Sequence, residues 1–126
     1  MLLNPQHTYL HLTENGAATQ LPGGEEFWSM SEAEMEHVGN GWLLSEFEFS
    51  ADWPNWEMHP NADEFVYLLS GMAEVHLEQQ DGLCKVTLDG SGAIVIPRGV
   101  WHTAKVTAPS RMLFVTQGAG TQLRPA

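Results

Sequence analysis

The chain has 126 residues, 43% of them hydrophobic, and a formal net charge of −11. This length and composition predict one globular domain with a single core and exclude a disordered or fibrous protein. The five basic residues are spread thinly along the chain, which disfavours nucleic acid and anionic membranes, because both are bound by clustered lysine and arginine. Small molecules or cations are therefore the expected partners.

The first forty residues are mixed in character and are interpreted as an irregular N-terminal arm, residues 1–40. Residues 1–12 could pair as an edge strand, and LPGGEEFW at 21–28 contains the strongest loop signal in the chain. Ser31 and Glu34 have capping-box spacing, which indicates a short helix over 31–38, with a loop as the alternative because glycines follow closely.

From Gly41 to residue 117 the sequence alternates between short β-type segments and turn residues. In WLLSEFEF, for example, every second residue from Leu43 to Phe49 shares one face of a strand. Eight or so short strands and barely any helix predict an all-β sandwich or barrel over 41–117. The segment 118–126 is expected to be a loose tail, so residues 1–126 are interpreted as one domain.

Two features bear on the cellular compartment. The sequence contains no apolar segment long enough for a bilayer, and its N-terminus lacks the basic and continuous apolar regions of a signal peptide. Cys84 is the single cysteine, which excludes an internal disulfide and suggests a small buried hydrophobe. We expect a soluble cytoplasmic protein.

Metal-binding side chains cluster in WEMHPNADEFVYLLSG, residues 56–71. Glu57 and His59 are two positions apart on an extended segment and therefore point the same way. Glu64 can supply a third ligand at the start of the next strand. About forty positions later, His102 follows the Pro97–Gly99 turn at the beginning of another strand, which is consistent with a ligand at the rim of a pocket.

Together these residues resemble the two motifs of the cupin superfamily. Glu57, His59, Glu64 and Gly71 are similar to the first motif, G-x5-H-x-H-x3,4-E-x6-G, and Pro97-x-Gly99-x2-His102 is similar to the middle of the second motif, G-x5-P-x-G-x2-H-x3-N. The resemblance covers roughly residues 51–106 and implies a small single-domain cupin with a double-stranded β-helix, or jelly-roll, barrel.

The sequence departs from the family pattern at several positions. Glu57 replaces the first histidine, Ala51 and Ser91 replace motif glycines, and Val106 replaces the final asparagine. The resemblance implies a divalent metal held by Glu57, His59, Glu64 and His102. Two histidines and two carboxylates favour Mn²⁺, Fe²⁺ or Zn²⁺ over Cu(I). As an alternative, Glu57 hydrogen-bonds its neighbours in a metal-free pocket.

Neighbouring polar and aromatic residues are given other roles. Asp63 is turned away by strand alternation and is interpreted as a turn or salt-bridge residue, and Tyr67 also points outward. His76 is expected to be a solvated surface histidine. The tryptophans near the motifs either form an aromatic wall for a substrate or pack the barrel ends or a subunit interface: Trp53, Trp56 and Trp101.

The resemblance implies a metal-dependent enzyme of dioxygenase or isomerase type acting on a small organic molecule. The alternative is a non-catalytic small-molecule binding or sensing module. No general acid or base is identified in the sequence, so the catalytic residues stay unknown. A homodimer is expected, because jelly-roll barrels often pair through edge strands or sheet faces.

Overall fold

The computed structural model describes residues 2–126; Met1, part of the predicted N-terminal strand, lies outside the described residues. The described part of the chain is mostly strand, which confirms the all-β prediction. Its elements, in chain order, are β1 (Thr8–Leu12), β2 (Ala18–Pro22), α1 (Glu25–Trp28), α2 (Glu32–Gly39), β3 (Trp42–Phe49), β4 (Asn55–Met58), β5 (Glu64–Gln79), β6 (Gly82–Asp89), β7 (Gly92–Ile96), β8 (His102–Thr116) and β9 (Gln122–Pro125).

The strands form a continuous antiparallel network in which β8 is central. Strand β8 pairs with β3 and β5 along most of its length and with β4 at its first residue. Strand β5 pairs with β7 through its first half and with β6 through its second half. The starts of β5 and β8 and the end of β4 are therefore connected by the sheet.

Strand β5 is one element of 16 residues, although the sequence predicts two short strands around Gly71. Gly71 has a φ of 97°, and a side chain there would overlap Ser110 and the carbonyl of Pro109 on β8. Glycine is the residue that tolerates both conditions, so the strand continues through this position, although its pairing with β8 shifts register between Leu68 and Ala73. The two segments predicted around Pro109 are likewise one strand, β8.

The core fills the space between the sheet layers, where alternate residues of β5 and β8 are buried: Val66, Leu68, Val75, Met112 and Phe114. On β3, Ser45 is buried, and Leu43, Phe47 and Phe49 on the same face are half-buried. The residues that alternation places on one side of this strand therefore point into the core. Cys84 is half-buried against this core.

The N-terminal arm adds a second layer beside the barrel. The predicted helix is present as α2, and its capping box is complete: the Ser31 hydroxyl accepts from the Glu34 amide at 3.2 Å, and the Glu34 carboxylate accepts from the Ser31 amide at 3.4 Å. Tyr9, Phe27 and Val38 form a small core between strands and helices. No helix within residues 2–126 combines the length and apolar character needed to cross a membrane.

The prediction of a loose C-terminal tail was wrong. Residues 122–125 form β9, which pairs with all four residues of β4. The Arg124 guanidinium lies over the Trp56 and Trp101 rings, 5.1 and 4.6 Å from their centroids, and forms an ion pair with Glu78. These contacts join residues far apart in sequence, so local composition does not reveal them.

The prediction of a solvated His76 was also wrong. Its side chain is buried and contacts the Glu74 carboxylate at 2.5 Å. His76 lies on β5 between its pairing partners Lys85 on β6 and Thr103 on β8. The position lies within the sheet and not at its edge, and its neighbour Thr103 is buried as well, which alternation along β5 alone does not reveal.

Candidate metal centre

The fold brings Glu57, His59, Glu64 and His102 together at one end of the barrel. Glu57 on β4 lies directly opposite His102 on β8 in the sheet register. The Gly99 amide, in the turn before His102, donates to the His59 carbonyl at 2.8 Å. The two sequence motifs are thus joined by backbone hydrogen bonds at the site itself.

The side-chain atoms of this cluster converge on a small volume. One ligand atom each from Glu57, His59 and His102 lies within 4.8 Å of the other two. The Glu64 carboxylate contacts Nε2 of His102 at 3.2 Å and Nε2 of His59 at 3.4 Å. The nearest oxygen of Glu57 is 3.8 Å from Nε2 of His59.

Hydrogen bonds on the far side of each ring determine which imidazole nitrogen carries the proton. His102 Nδ1 is 3.0 Å from the Val100 carbonyl, which can only accept, so this nitrogen is a donor. His59 Nδ1 is 2.8 Å from the Thr121 hydroxyl, whose own hydrogen is donated to the Gly118 carbonyl at 2.8 Å. His59 Nδ1 is therefore also a donor. In the neutral rings both Nε2 atoms carry a lone pair directed at the carboxylates.

Three of these converging atoms are buried without a hydrogen-bond partner among residues 2–126: Nε2 of His59, Nε2 of His102 and Oε1 of Glu64. Their mutual contacts have ion-pair distances but not hydrogen-bond geometry. Buried unpaired acceptors are costly, and a shared cation satisfies them all. The donor set and its outer hydrogen bonds therefore fit a divalent metal.

Burial and electrostatic interactions shift the pKa values of the two carboxylates in opposite directions. Burial tends to raise the pKa of Glu64, but the neighbouring imidazoles of His102 and His59 and the Thr116 hydroxyl outweigh it and lower the pKa to about 2. Burial and then the charge of Glu64 raise the pKa of Glu57. Burial tends to lower the pKa of His102, yet contact with Glu64 raises it overall. Glu64 is thus ionised at neutral pH, whereas Glu57 loses its proton less readily than an ordinary glutamate.

Two threonines support the site, and the sequence analysis missed both. The Thr116 hydroxyl, at the end of β8, donates to Glu64 at 2.5 Å, and Thr121 accepts from His59. Threonine is common at strand ends, and Thr121 lies in the segment predicted to be loose. Neither position carries a motif signal, so only their three-dimensional contacts reveal them.

Asp63 lies outside the cluster, as predicted, and holds the two motif turns together. Its carboxylate accepts from the Arg98 backbone amide at 2.9 Å and forms a surface ion pair with the Arg98 side chain at 3.3 Å. The backbone and side-chain hydrogen bonds from Arg98 lower the pKa of Asp63.

One of the three tryptophans near the motifs has a predicted role, as part of an aromatic wall, and the other two have a role that was not predicted. Trp53 is buried, lines the barrel cavity and lies 6.3 Å from the His102 ring in an edge-on arrangement. Trp56 and Trp101 instead enclose Arg124. Tyr67 is partly exposed on the outer face, as predicted.

The cluster of candidate ligands opens into a cavity of about 420 Å³ between the sheet layers. Glu57, His59 and Glu64 line one part of its wall, and the rest is mainly apolar. The side chain of Glu57 is 36% exposed, against 7% for His59 and 4% for Glu64, so Glu57 is the acidic group most open to a ligand.

The comparisons with known proteins agree with this geometry. The family model described as a cupin domain matches residues 44–116, more than half of the chain. No curated protein matches the sequence.

Several solved structures share the fold. A cupin-2 domain protein from Shewanella frigidimarina superposes with a TM-score of 0.51 at 19% identity, covering 60% of this chain and 69% of that chain. An oxalate oxidase gives 0.54 at 19% identity, covering 64% of this chain and 44% of that chain. Hydroxypropylphosphonic acid epoxidase from S. wedmorenis gives 0.51 at 14% identity, covering 60% and 42%. The chain therefore spans less than half of either enzyme chain, and these likenesses support the jelly-roll fold alone.

Proposed function

Because this chain belongs to the cupin family, we propose that it is a metal-dependent enzyme that binds one divalent ion at Glu57, His59, Glu64 and His102 and acts on a small organic molecule in the barrel cavity. The observation that carries the proposal is the orientation of the two imidazoles. Both Nδ1 atoms are donors to oxygens of the protein, so in the neutral rings both Nε2 lone pairs face the Glu64 carboxylate. That arrangement calls for a cation between them.

The donor set favours Mn²⁺, Fe²⁺ or Zn²⁺, because imidazole and carboxylate together suit these ions. When bound, such an ion supplies Lewis acidity and, if it is iron or manganese, redox chemistry for an oxygenation. Two carboxylates balance the charge of a divalent ion, which keeps the buried site near neutrality.

The chain's own residues supply positioning and proton control. Thr121 and the Val100 carbonyl fix the two rings, and Thr116 orients Glu64. Glu57 lines the cavity with a raised pKa, so before an ion binds it can hold a proton at a carboxylate oxygen that faces the cavity, and metal binding would release that proton. These roles suit a dioxygenase or an isomerase.

A metal-free binding module is the second candidate, and the close contact of His102 with Glu64 favours it. Since contact with Glu64 raises the pKa of His102, an imidazolium–carboxylate pair can replace the cation. In that form the barrel would bind its ligand without metal chemistry.

Elemental analysis of protein purified without chelator or His-tag separates the two candidates. We expect near-stoichiometric divalent metal in the wild type and its loss in His59→Ala and His102→Ala, with His7→Ala, an exposed histidine, as the control. Metal addition should also raise the melting temperature of the wild type, a measurement that does not depend on the folding of a variant. Failure to take up Mn²⁺, Fe²⁺ or Zn²⁺ after chelation and reloading contradicts the metalloenzyme and leaves the binding module.

We also propose that the protein is a cytoplasmic homodimer. Phe65 and Val95 lie opposite each other on β5 and β7, and Tyr67 adjoins them, so these exposed side chains form an apolar row on the outer sheet face. A second acidic copy meets this uncharged face with less repulsion than elsewhere on the surface. Sedimentation should give a dimer that Tyr67→Lys weakens; a monomeric wild type contradicts this part of the proposal.

A further inference from the structure

Aromatic side chains form a large part of the apolar wall of the barrel cavity. The aromatic residues come from three parts of the fold, namely the helical arm, strand β3 with the segment after it, and β8: Phe27, Trp28, Phe47, Phe49, Trp53 and Phe114. The ring centroids of Phe49, Trp53 and Phe114 lie 5.5 to 6.2 Å from one another. The three rings form a continuous apolar surface beside the proposed metal ligands. Cavities of this size and lining bind molecules that bury flat apolar area.

The ionisable groups of this wall are acidic or imidazole groups, namely Glu57, Glu64 and His59. Among residues 2–126, no lysine or arginine lines the cavity. Arg98, Lys105, Arg111 and Arg124 instead form ion pairs with acidic residues outside it. An anion entering this cavity would lose its hydration and gain no positive side chain in return, which is costly in an apolar environment.

The N-terminal arm forms part of the cavity wall. Phe27 and Trp28 of α1 and Met35 and Val38 of α2 belong to this wall, as does Leu123 of β9. A ligand in the cavity would contact these apolar side chains, so its body must be compatible with an apolar surface.

We infer that the ligand of this cavity is an uncharged, mainly apolar molecule of mono- or bicyclic aromatic size, whose polar group faces the Glu57 end. The inference rests on the proposed function in one respect, namely that the ligand's polar group lies beside the proposed metal site. The preference for apolar ligands depends only on the side chains of the cavity wall. Small dianions of the oxalate type are excluded as ligands of the metal-free cavity, because they would leave the aromatic wall uncovered and would meet two carboxylates.

Isothermal titration calorimetry with matched probes tests this selectivity on the chain as purified and after chelator treatment. The probes are 2-naphthol, naphthalene-2-carboxylate, which has the same rings with a charge, and oxalate. In chelator-treated protein we expect 2-naphthol to bind at least tenfold more tightly than the carboxylate and oxalate binding to be undetectable. Naphthol binding should persist in metal-loaded protein.

Two pairs of variants locate the binding. Trp28→Ala should weaken 2-naphthol binding several-fold, whereas Trp42→Ala, which alters a tryptophan outside the cavity wall, should not. Leu123→Arg should increase the affinity for the carboxylate, whereas Leu83→Arg, at an exposed leucine away from the cavity, should leave it unchanged. Because these residues are at least partly exposed, the folded state should tolerate the changes.

The outcomes distinguish the two proposals. Equal or tighter binding of oxalate or the carboxylate in metal-free protein overturns the inference, as does an absence of naphthol binding or an equal loss in Trp28→Ala and Trp42→Ala. Naphthol binding in a protein that takes up no metal supports the inference and contradicts the metalloenzyme instead.

Discussion

The Thr121 hydroxyl accepts a hydrogen bond from Nδ1 of His59 at 2.8 Å, across 62 positions of sequence. Because Thr121 donates its own hydrogen to the Gly118 carbonyl, its oxygen can only accept from the ring. This bond sets the tautomer of His59 and the direction of the nitrogen that faces Glu64. A residue outside the cupin motifs therefore controls a proposed metal ligand.

Replacing Thr121 should weaken metal binding without removing a ligand. In Thr121→Val the ring of His59 loses its acceptor, and we expect metal affinity to fall by about 10- to 100-fold, as is usual when such a supporting bond is lost. Thr121→Ser should restore it, and Thr107→Val, at an exposed threonine of β8, should have no effect. Titration against a chelator of known affinity measures the change. Wild-type affinity in Thr121→Val would show that the bond does not position the ligand.

Glu57 is the position where this chain departs from the usual cupin ligands, and substitutions there test its role. Glu57→His recreates the three-histidine pattern and should retain metal, whereas Glu57→Leu should lower metal affinity at least tenfold because one of four donors is lost. Glu48→Leu, at an exposed glutamate of β3, is the control. Elemental analysis after reloading is the measurement, and full occupancy in Glu57→Leu would mean that Glu57 is not a ligand.

Gly71 should be sensitive to the smallest substitution. Its φ of 97° and the approach of Ser110 and Pro109 leave no room for a side chain. The backbone strain alone should lower the free energy of unfolding of Gly71→Ala by about 1–3 kcal/mol, with the overlap adding to it. Gly118→Ala is the control, since a methyl group there meets its nearest neighbour at 3.8 Å. Denaturant unfolding compares the two, and similar stabilities would refute the role given to Gly71.

Acid should destabilise the fold through His11, which is 3% exposed. Burial, and secondarily the charge of His37, lowers the pKa of His11 in the folded state. An unfolded histidine has a pKa of about 6.5, so below that pH the unfolded chain binds more protons and stability falls until the lower folded pKa is passed. His11→Leu should flatten the decline of the unfolding free energy below about pH 6.5.

The exposed His7 provides the control for this pH effect. Denaturant unfolding across the pH range should show the wild-type decline in His7→Leu and a smaller one in His11→Leu. A decline of equal slope in all three proteins would assign the acid sensitivity to other groups.

The fold was predictable because its signals are local. Strand alternation identified the inward face of β3, and two motifs in the correct order identified the barrel. The spacing of Glu57, His59 and Glu64 predicted that these three side chains lie close together, and the resemblance to the cupin motifs added His102 to them. Capping-box spacing likewise predicted α2.

The remaining features depend on contacts between distant segments. Nothing near Gly118 indicates that the following residues pair with β4, and alternation along β5 cannot show that neighbouring strands cover His76. Gly71 looked like a strand boundary because a glycine in isolation signals a turn, whereas here it permits the close approach of the paired strand β8. The threonines of the site were missed for the same reason, since their partners are set by the tertiary fold.

The Trp28-bearing helix and the Thr121 segment both lie outside residues 44–116, the part of the chain that matches the cupin family. The part that matches the family includes the four proposed ligands, whereas the flanking segments add Trp28 and Leu123 to the cavity wall and the Thr121 hydrogen bond to His59. Replacing the N-terminal flank with that of another cupin should therefore change which molecules bind, whereas replacing the C-terminal flank should also change how tightly an ion is held. Ligand selectivity in this protein would thus depend on segments that are not part of the shared barrel.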